Sequence, residues 1–312
     1  MQLLKGKLSI DFMGKRRIAM ILSIVLLAIS LGALVTKGLN FGIDFTGGTL
    51  IEVGYPEAVE LDGIRSALAD GGFGNPQVQH FGSSRDVLVR IAPQAGKDSV
   101  ELSENAMNAL RQQNAAMEMR RVEFVGPQVG EELTEQGALA MIYALIGILI
   151  YIMVRFQWRF APGAVVALVH DVLIIIGFFA VFQFDFDLTV LAALLAVIGY
   201  SLNDTIVVFD RMRENFRKMR KGTSVEVINT SINQTFSRTL MTSITTLLVL
   251  ISLFVFGGEV IHTFSLALIL GIIVGTYSSI YVASAVTLAL GVTKADLMPP
   301  PVEEKEGDGS SV

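Results

Sequence analysis

Apolar positions along this chain follow two different rules. In six places they run on almost without interruption, at 18–35, 138–154, 161–182, 188–209, 240–256 and 263–290. Each run is roughly 17 residues or longer, the helical length that crosses about 30 Å of hydrocarbon. The pattern therefore predicts six transmembrane helices. Between the first and second runs the rule changes to alternation. Residues 49–55 (TLIEVGY), 77–81 (QVQHF), 86–92 (DVLVRIA) and 119–125 (MRRVEFV) carry the period-two pattern of half-buried strands. Two amphipathic helices separate them. The first, at 60–70, sets Leu61, Ile64 and Leu68 on one face and stops at Gly71 and Gly72, while the second opens on Asp98 and Glu101 and runs to Leu110. The order is βαββαβ, the split-βαβ arrangement of a ferredoxin-like α+β fold, in which two helices cover one face of an antiparallel sheet. The other sheet face is left free to meet a partner.

Charge decides which way the helices point. Lys5, Lys7, Lys15, Arg16 and Arg17 precede the first run, Arg155 and Arg159 follow the second, and Arg211, Arg213, Arg217, Lys218, Arg220 and Lys221 follow the fourth. Short-loop Lys and Arg mark the cytoplasmic side. The opposite connections, 183–187 (QFDFD) and 257–262 (GGEVIH), hold neither. Both termini are thus expected in the cytoplasm and the βαββαβ domain outside. The first run is longer than a signal-peptide core and lacks a clear A-x-A site, so a retained anchor is expected. The organisation is then 1–35 for the cytoplasmic N-terminus and first helix, 36–136 for the exported domain, 137–209 for helices two to four, 210–238 for a cytoplasmic loop, 239–291 for helices five and six, and 292–312 for a disordered tail, which holds the Pro-rich, acidic MPPPVEEKEGDGSSV.

Composition narrows the function. With 52% hydrophobic and 17% charged residues and a mean hydropathy of +0.58, most of the chain is solvated by lipid. Cysteine is absent, so the exported domain must stand on its own apolar core. The net charge of -5 mixes membrane and aqueous segments and says little about partners, and no nucleic-acid partner is expected. There is no G-x-x-x-x-G-K-[ST] for nucleotide and no H-E-x-x-H for zinc. His80 has no second ligand-type residue spaced to complete a metal site. No catalytic group, cofactor or metal is expected.

What remains are ionisable groups inside apolar runs, which are costly there and mark functional sites. Asp204 sits in the fourth run and Arg238 opens the fifth, at a depth that would let a carboxylate meet a guanidinium. Ser201 and Asn203 flank Asp204, and Thr242 and Thr245 follow Arg238 at i+4 and i+7, so each charge is expected on a polar helix face able to hold water. The competing reading is a static ion pair that only fixes helix register. Asp171, beside His170 in the third run, fits a relay member and a packing hydrogen bond equally well. Gly271, Gly275, Ser279 and Ala283 repeat every fourth residue and predict a small-residue face for close helix contact. The basic stretch 211–221 reads as a topology determinant and lipid-headgroup contact. Asp185, Asp187, Glu259 and His262 read as solvated external groups that could mark a proton entrance.

Four long segments carry a resemblance: GLNFGIDFTGGTLIEV at 38–53, EFVGPQVGEEL at 123–133, GYSLNDTIVVFDRMREN at 199–215 and NQTFSRTLMTSITTL at 233–247. Together, in this order, the chain resembles the SecD/SecF family of protein-export membrane proteins, within the resistance-nodulation-division (RND) superfamily. The resemblance implies a six-helix bundle of RND type in the bacterial inner membrane, paired pseudosymmetrically with six helices of SecD beside the SecYEG channel. It implies a subunit without enzymatic activity that uses the proton gradient to promote preprotein translocation and release on the periplasmic side. The aspartate of its NDT and the arginine of its SRT belong to the family's proton path, and they fall on Asp204 and Arg238. Asp44, Gly47 and Gly48 fall in its turn between helix one and the first strand, where glycine supplies unusual backbone angles. Gly126 and Pro127 read as a stiff joint. A lipid or small-solute exporter of the same superfamily and a passive assembly scaffold are the alternatives. The topology has a direct test. Reporter fusions within 36–136 are expected to read outside and fusions within 211–222 inside, and an inside reading for the first set would overturn the six-span arrangement.

Overall fold

The computed structural model describes residues 10–74, 76–94, 99–114, 116–155, 159–219, 221–258 and 261–293. Lys5, Lys7, Asp98, Arg220, Glu259 and the acidic tail of the sequence analysis lie outside the described residues. In chain order the elements are α1 (Arg16–Thr36), β1 (Asn40–Phe41), α2 (Ile43–Thr46), β2 (Gly48–Gly54), α3 (Leu61–Asp70), β3 (Gln77–Phe81), β4 (Ser83–Ile91), α4 (Ser99–Gln113), β5 (Glu118–Val125), α5 (Pro127–Arg155), α6 (Ala161–Phe182), β6 (Asp185–Phe186), α7 (Leu188–Lys218), α8 (Ser224–Phe256), α9 (His262–Ser278), a π-helical segment (Ser279–Ala283) and α10 (Ser284–Ala289).

Among the described residues six helices are long and apolar enough to cross a membrane: α1, α5, α6, α7, α8 and the continuous α9, π segment and α10. They extend the apolar runs where local chemistry favours it. The stretch after 209, expected as part of a loop, instead carries α7 on to Lys218. Glu214 there pairs with Arg211 at i−3 (2.7 Å) and Lys218 at i+4 (2.5 Å), which supports a solvated helical turn. A capping box, Thr223 with Glu226, then starts α8 fourteen residues before 238, so the span 210–238 is helical on both sides of a short break. Likewise α5 begins at Pro127, where a missing N–H costs nothing.

Half of the α6, α7 and sixth-span windows is buried inside the protein, against 11% for α5 and 17% for α8. The first three form the centre of the bundle. Small residues allow their close approach. A Cβ added to Gly177 of α6 would overlap Ser30 of α1, one added to Gly271 would overlap Val197 of α7, and one on Gly275 would lie 2.9 Å from Ser201 Cβ. The expected four-residue stripe does not keep to one neighbour. Ala283, beyond the extra residue of the π segment, lies against α6, where a Cβ on Gly163 would come within 2.9 Å of Ala283 O. Ser279 turns its hydroxyl to its own helix, donating to Thr276 O (3.0 Å).

Between α1 and α5 the chain builds one four-stranded sheet in the order β3-β4-β2-β5, with antiparallel neighbours throughout. Ile51, Val53, Val87 and Val89 point to one face and pack against Ile64 and Leu68 of α3 and Leu102 and Leu110 of α4. That alternation is what places Leu50, Glu52, Leu88 and Arg90 on the other face. This second face roofs a cleft of about 540 Å³ whose floor is the α6–α7 connection, with His262 and Thr263. Replacing Gly177 with valine forces α1 off α6, and overpacking of this kind costs about 1–3 kcal/mol. Gly177→Val is expected to lower the thermal midpoint of the detergent-solubilised protein. Gly147→Val is expected to leave it near the parent, because nothing lies within 4 Å of that added carbon.

Candidate functional site

A buried polar cluster inside the bundle is centred on Asp171. Ser201 Oγ of α7 donates to Asp171 Oδ2 (2.6 Å), and Ser278 Oγ of α9 donates to the same atom (2.7 Å). His170 Nδ1 meets Asp171 Oδ1 at 2.9 Å, and His170 Nε2 meets Ser23 Oγ of α1 at 3.1 Å. Ser23 in turn contacts Tyr277 Oη (3.0 Å), which donates to Ala19 O (2.6 Å). His170, Asp171, Ser201, Ser23 and Ser278 are all at most 3% exposed. The network thus ties α1, α6, α7 and α9 together through one carboxylate and one imidazole. Ser201, expected to share a face with Asp204, serves Asp171 instead. Ser23 and Tyr277 escaped the reading of the sequence, although Ala19, Ser23, Ser30 and Ala33 are the buried residues of α1 and form a visible small-residue face.

Asp204 is in the opposite condition. It is 2% exposed, and its Oδ2 is buried with no hydrogen-bond partner. Thr205 Oγ1, next in sequence, and Thr239 Oγ1 of α8 are likewise buried and unbonded. Arg238 is within electrostatic reach of Asp204, but among the described residues the two form no ion pair. The register explains the separation. Tyr200 Oη donates to Thr246 Oγ1 (3.5 Å), and Asn215 Nδ2 to Ser231 Oγ (2.9 Å), which sets Asp204 level with Thr242 and Arg238 about one turn beyond. Arg238, Thr242, Thr245 and Asn203 are exposed on the outside of the α7–α8 pair. The hydroxyls of the two threonines donate to their own helix. Thr242 donates to Thr239 O (2.8 Å) and Thr245 to Met241 O (2.9 Å), the local bonds that hydroxyls make on helices.

A third group of residues joins the sheet domain to the bundle. β1 pairs in parallel with β6, Asn40 beside Asp185 and Phe41 beside Phe186. Asp185, expected to be solvated, is the hub of this joint. Its Oδ1 accepts from Asn40 Nδ2 (2.7 Å) and Arg90 Nη1 (2.9 Å), and its Oδ2 accepts from Gln79 Nε2 (2.8 Å) and pairs with Arg90 Nη2. The Arg90 and Asp185 side chains are only 12% and 16% exposed. Phe41, Phe45 and Phe186 pack ring to ring at 5.8–5.9 Å beneath them. Asp187 caps α7 by accepting from Val190 N (2.9 Å), and Asp44 accepts from Leu188 N (2.9 Å) at the same helix start. Gly47 and Gly48 take φ of +67° and +127°, open to glycine. A Cβ on Gly47 would also lie 2.9 Å from Pro127 Cα, so the glycine pair lets β2 leave α2 against the start of α5.

Residues 32–55, which hold that glycine pair, match the family described as the SecD/SecF GG motif, and residues 105–293 match the protein export membrane protein SecD/SecF, C-terminal family. The chain is 55% identical over 307 residues to the protein translocase subunit SecF of Vibrio alginolyticus, covering 98% of this chain and 97% of that one. It is 45% identical to SecF of Escherichia coli O157:H7, covering 100% of this chain and 97% of that one. The chain belongs to the SecF family of protein translocase subunits. As a SecF-family chain it is a multi-pass membrane protein of the Sec protein-export pathway. The crystal structure of SecDF from Thermus thermophilus superposes with a TM-score of 0.83 at 38% identity, covering 93% of this chain. The super-membrane-facing form of SecDF superposes at 0.68 with the same identity and coverage. This chain spans 39% of the length of those SecDF chains.

Loss of either member of the Arg90–Asp185 pair leaves the other with partly buried, unmet hydrogen-bonding capacity. Arg90→Gln and Asp185→Asn are each expected to loosen the joint by about 2 kcal/mol, the scale of a charged hydrogen bond. The double variant is expected to cost less than the sum of the singles. Proteolysis of the domain–bundle junction as a function of temperature measures all three, and strict additivity would show that the pair is not coupled.

Proposed function

We propose that this chain is the proton-responsive partner of a SecD subunit in the bacterial inner membrane, and that protonation at Asp204 drives motion of its βαββαβ domain on the periplasmic side to promote preprotein translocation and release. The observation that carries this reading is Asp204 itself, an ionisable side chain buried in a membrane-spanning helix with an oxygen that nothing among the described residues satisfies. Hydrocarbon offers no hydrogen bond, so a carboxylate kept in that condition costs several kcal/mol unless a proton, water or partner group reaches it. The exposed strip of Arg238, Asn203, Thr242 and Thr245 supports the second part of the reading. Polar side chains on the outside of a bundle at membrane depth call for cover by another bundle. The low burial of α5 and α8 supports the same surface for SecD, in line with SecDF relatives more than twice the length of this chain.

With SecD seated on that strip, Arg238 is the fixed charge and Asp204 the titrating one, since a guanidinium keeps its proton throughout. Asp171 and Ser201 form the neighbouring polar centre. The membrane potential supplies roughly 2.3 kcal/mol per charge per 100 mV, enough to bias two helix arrangements of similar energy. The joint at Asp185, Arg90 and the Phe41, Phe45 and Phe186 rings would carry that bias to the domain, because β1, β6 and the start of α7 are one connected unit. The basic end of α7 fits contact with lipid headgroups on the cytoplasmic side. The translocase relatives favour export beside SecYEG over a lipid or solute exporter.

Asp204→Asn and Arg238→Met are each expected to abolish the stimulation of preprotein translocation by a proton gradient in inverted vesicles. Protein level and association with SecD are expected to persist, and Asp204→Glu to retain part of the response. A full gradient response from the asparagine variant would leave a passive scaffold as the better reading.

A further inference from the structure

We propose that His170 and Asp171 form a second, one-proton site inside the bundle, and that loss of its proton releases α1 from α6. The hydrogen positions follow from the far end of the network. Ala19 O has no hydrogen to give, so the Tyr277 hydroxyl donates to it at 2.6 Å. That spends the one proton of the phenol, so Tyr277 Oη accepts from Ser23 Oγ at 3.0 Å. Ser23, having donated, accepts from His170 Nε2 at 3.1 Å. His170 therefore carries a fixed proton on Nε2.

The 2.9 Å contact between His170 Nδ1 and Asp171 Oδ1 then needs one further proton. It rests either on Nδ1, as imidazolium beside carboxylate, or on Oδ1, as carboxylic acid beside neutral imidazole. Both forms keep the same atoms in contact. When that proton leaves the pair, a ring lone pair faces a carboxylate oxygen with no hydrogen between them, and the contact becomes repulsive. The carboxylate is anchored, since Oδ2 accepts from Ser201 (2.6 Å) and Ser278 (2.7 Å). The imidazole is the member that moves, and its Nε2–Ser23 bond to α1 moves with it. The π segment begins at Ser279, directly after Ser278, and its spare residue gives the sixth span a place to absorb such a shift.

The groups facing the pair are Ser23 from α1, Ser201 from α7, and Tyr277 and Ser278 from α9, with Tyr281 of the π segment 5.4 Å from the Tyr277 ring. Among the described residues neither member bonds to a Lys, Arg or Glu, and Asp204, one turn beyond Ser201, bonds to neither. Ser23 and Tyr277 are thus positioning residues that hold the tautomer. The functional half of this inference rests on the proton-coupled reading above, whereas the titration of the pair stands apart from it.

The full chain with its SecD partner in lipid bilayers, carrying isotope-labelled histidine, reads the pair directly by nitrogen NMR. The signals of His170 are assigned by their loss in His170→Gln. Nε2 is expected to keep its proton whether or not the shared proton is present while Nδ1 reports that proton, and Tyr277→Phe is expected to release the tautomer so that both forms appear. The absence of native cysteine makes the mechanical part clean. Lys37 Nζ donates to Val181 O at 2.9 Å, so cysteines at these two positions report the α1–α6 distance through a short cross-linker. Cross-linking is expected to fall as the proton leaves, and His170→Gln to remove that dependence. Mixed tautomers indifferent to Tyr277→Phe, or cross-linking that stays constant through the transition, would overturn the proposal. Asp204→Asn is expected to leave the His170 titration in place, so a failure of the Asp204 reading is seen in the translocation assay alone. Asp171→Asn is expected to lose the gradient response with SecD association intact, and a full response from it would overturn the functional half.

Discussion

Hydrocarbon accepts no hydrogen bonds, so any polar side chain at membrane depth must find its partners on other helices, and this requirement organises the bundle. Asp171 meets it completely. Its two oxygens gather hydroxyls from α7 and α9 and an imidazole from its own helix, and the imidazole reaches on to α1. Apolar packing alone would not choose this arrangement, since lipid tails solvate leucine as well as a neighbouring helix does. The small residues around the network make it geometrically feasible. Gly275 admits the Ser201 side chain, and Gly177 admits Ser30.

Asp204 leaves the same requirement unmet, and the contrast between two carboxylates one helix apart is informative. One is locked by three contacts, while the other has a buried oxygen without a partner and a cation within electrostatic reach but not in contact. Groups that titrate in a working cycle need to change partners, and a fully satisfied group resists doing so. Arg238, Asn203, Thr242 and Thr245 form an exposed polar strip on α7 and α8 near that buried oxygen.

The sheet domain is held to the helix bundle at two places of different character. Gly47 packs on the Pro127 backbone, a steric contact that tolerates little change. Asp185 binds Arg90, Gln79 and Asn40 over a layer of phenylalanine rings, a polar clasp between the sheet and the α6–α7 connection. Since Asp44 and Asp187 cap the start of α7 in the same place, a shift of the helix that carries Asp204 is felt at the clasp.

Much of this was written in the chain. Runs longer than the bilayer is thick allow no structure but a helix, so the six spans were legible, and strict alternation with helix stops at glycine gave the βαββαβ order in the same way. Asp171, Asp204 and Arg238 were legible as costs, because an ionisable residue in an apolar run is conspicuous without any knowledge of its surroundings. Partners were another matter. Whether Arg238 touches Asp204 depends on a register that moves it a full turn away, and whether Ser201 serves Asp204 or Asp171 depends on helix rotation, which period alone leaves open. Ser23, Tyr277 and Ser278 look like tolerated polar residues until α1 and α9 are brought against α6. Asp185 looks solvated until a sheet from elsewhere in the chain sets Arg90 above it. The chain thus determined which groups would be expensive, through local composition and spacing. Only the tertiary structure decided who satisfies them, because the hydrogen bonds join residues as far as 258 positions apart in the chain.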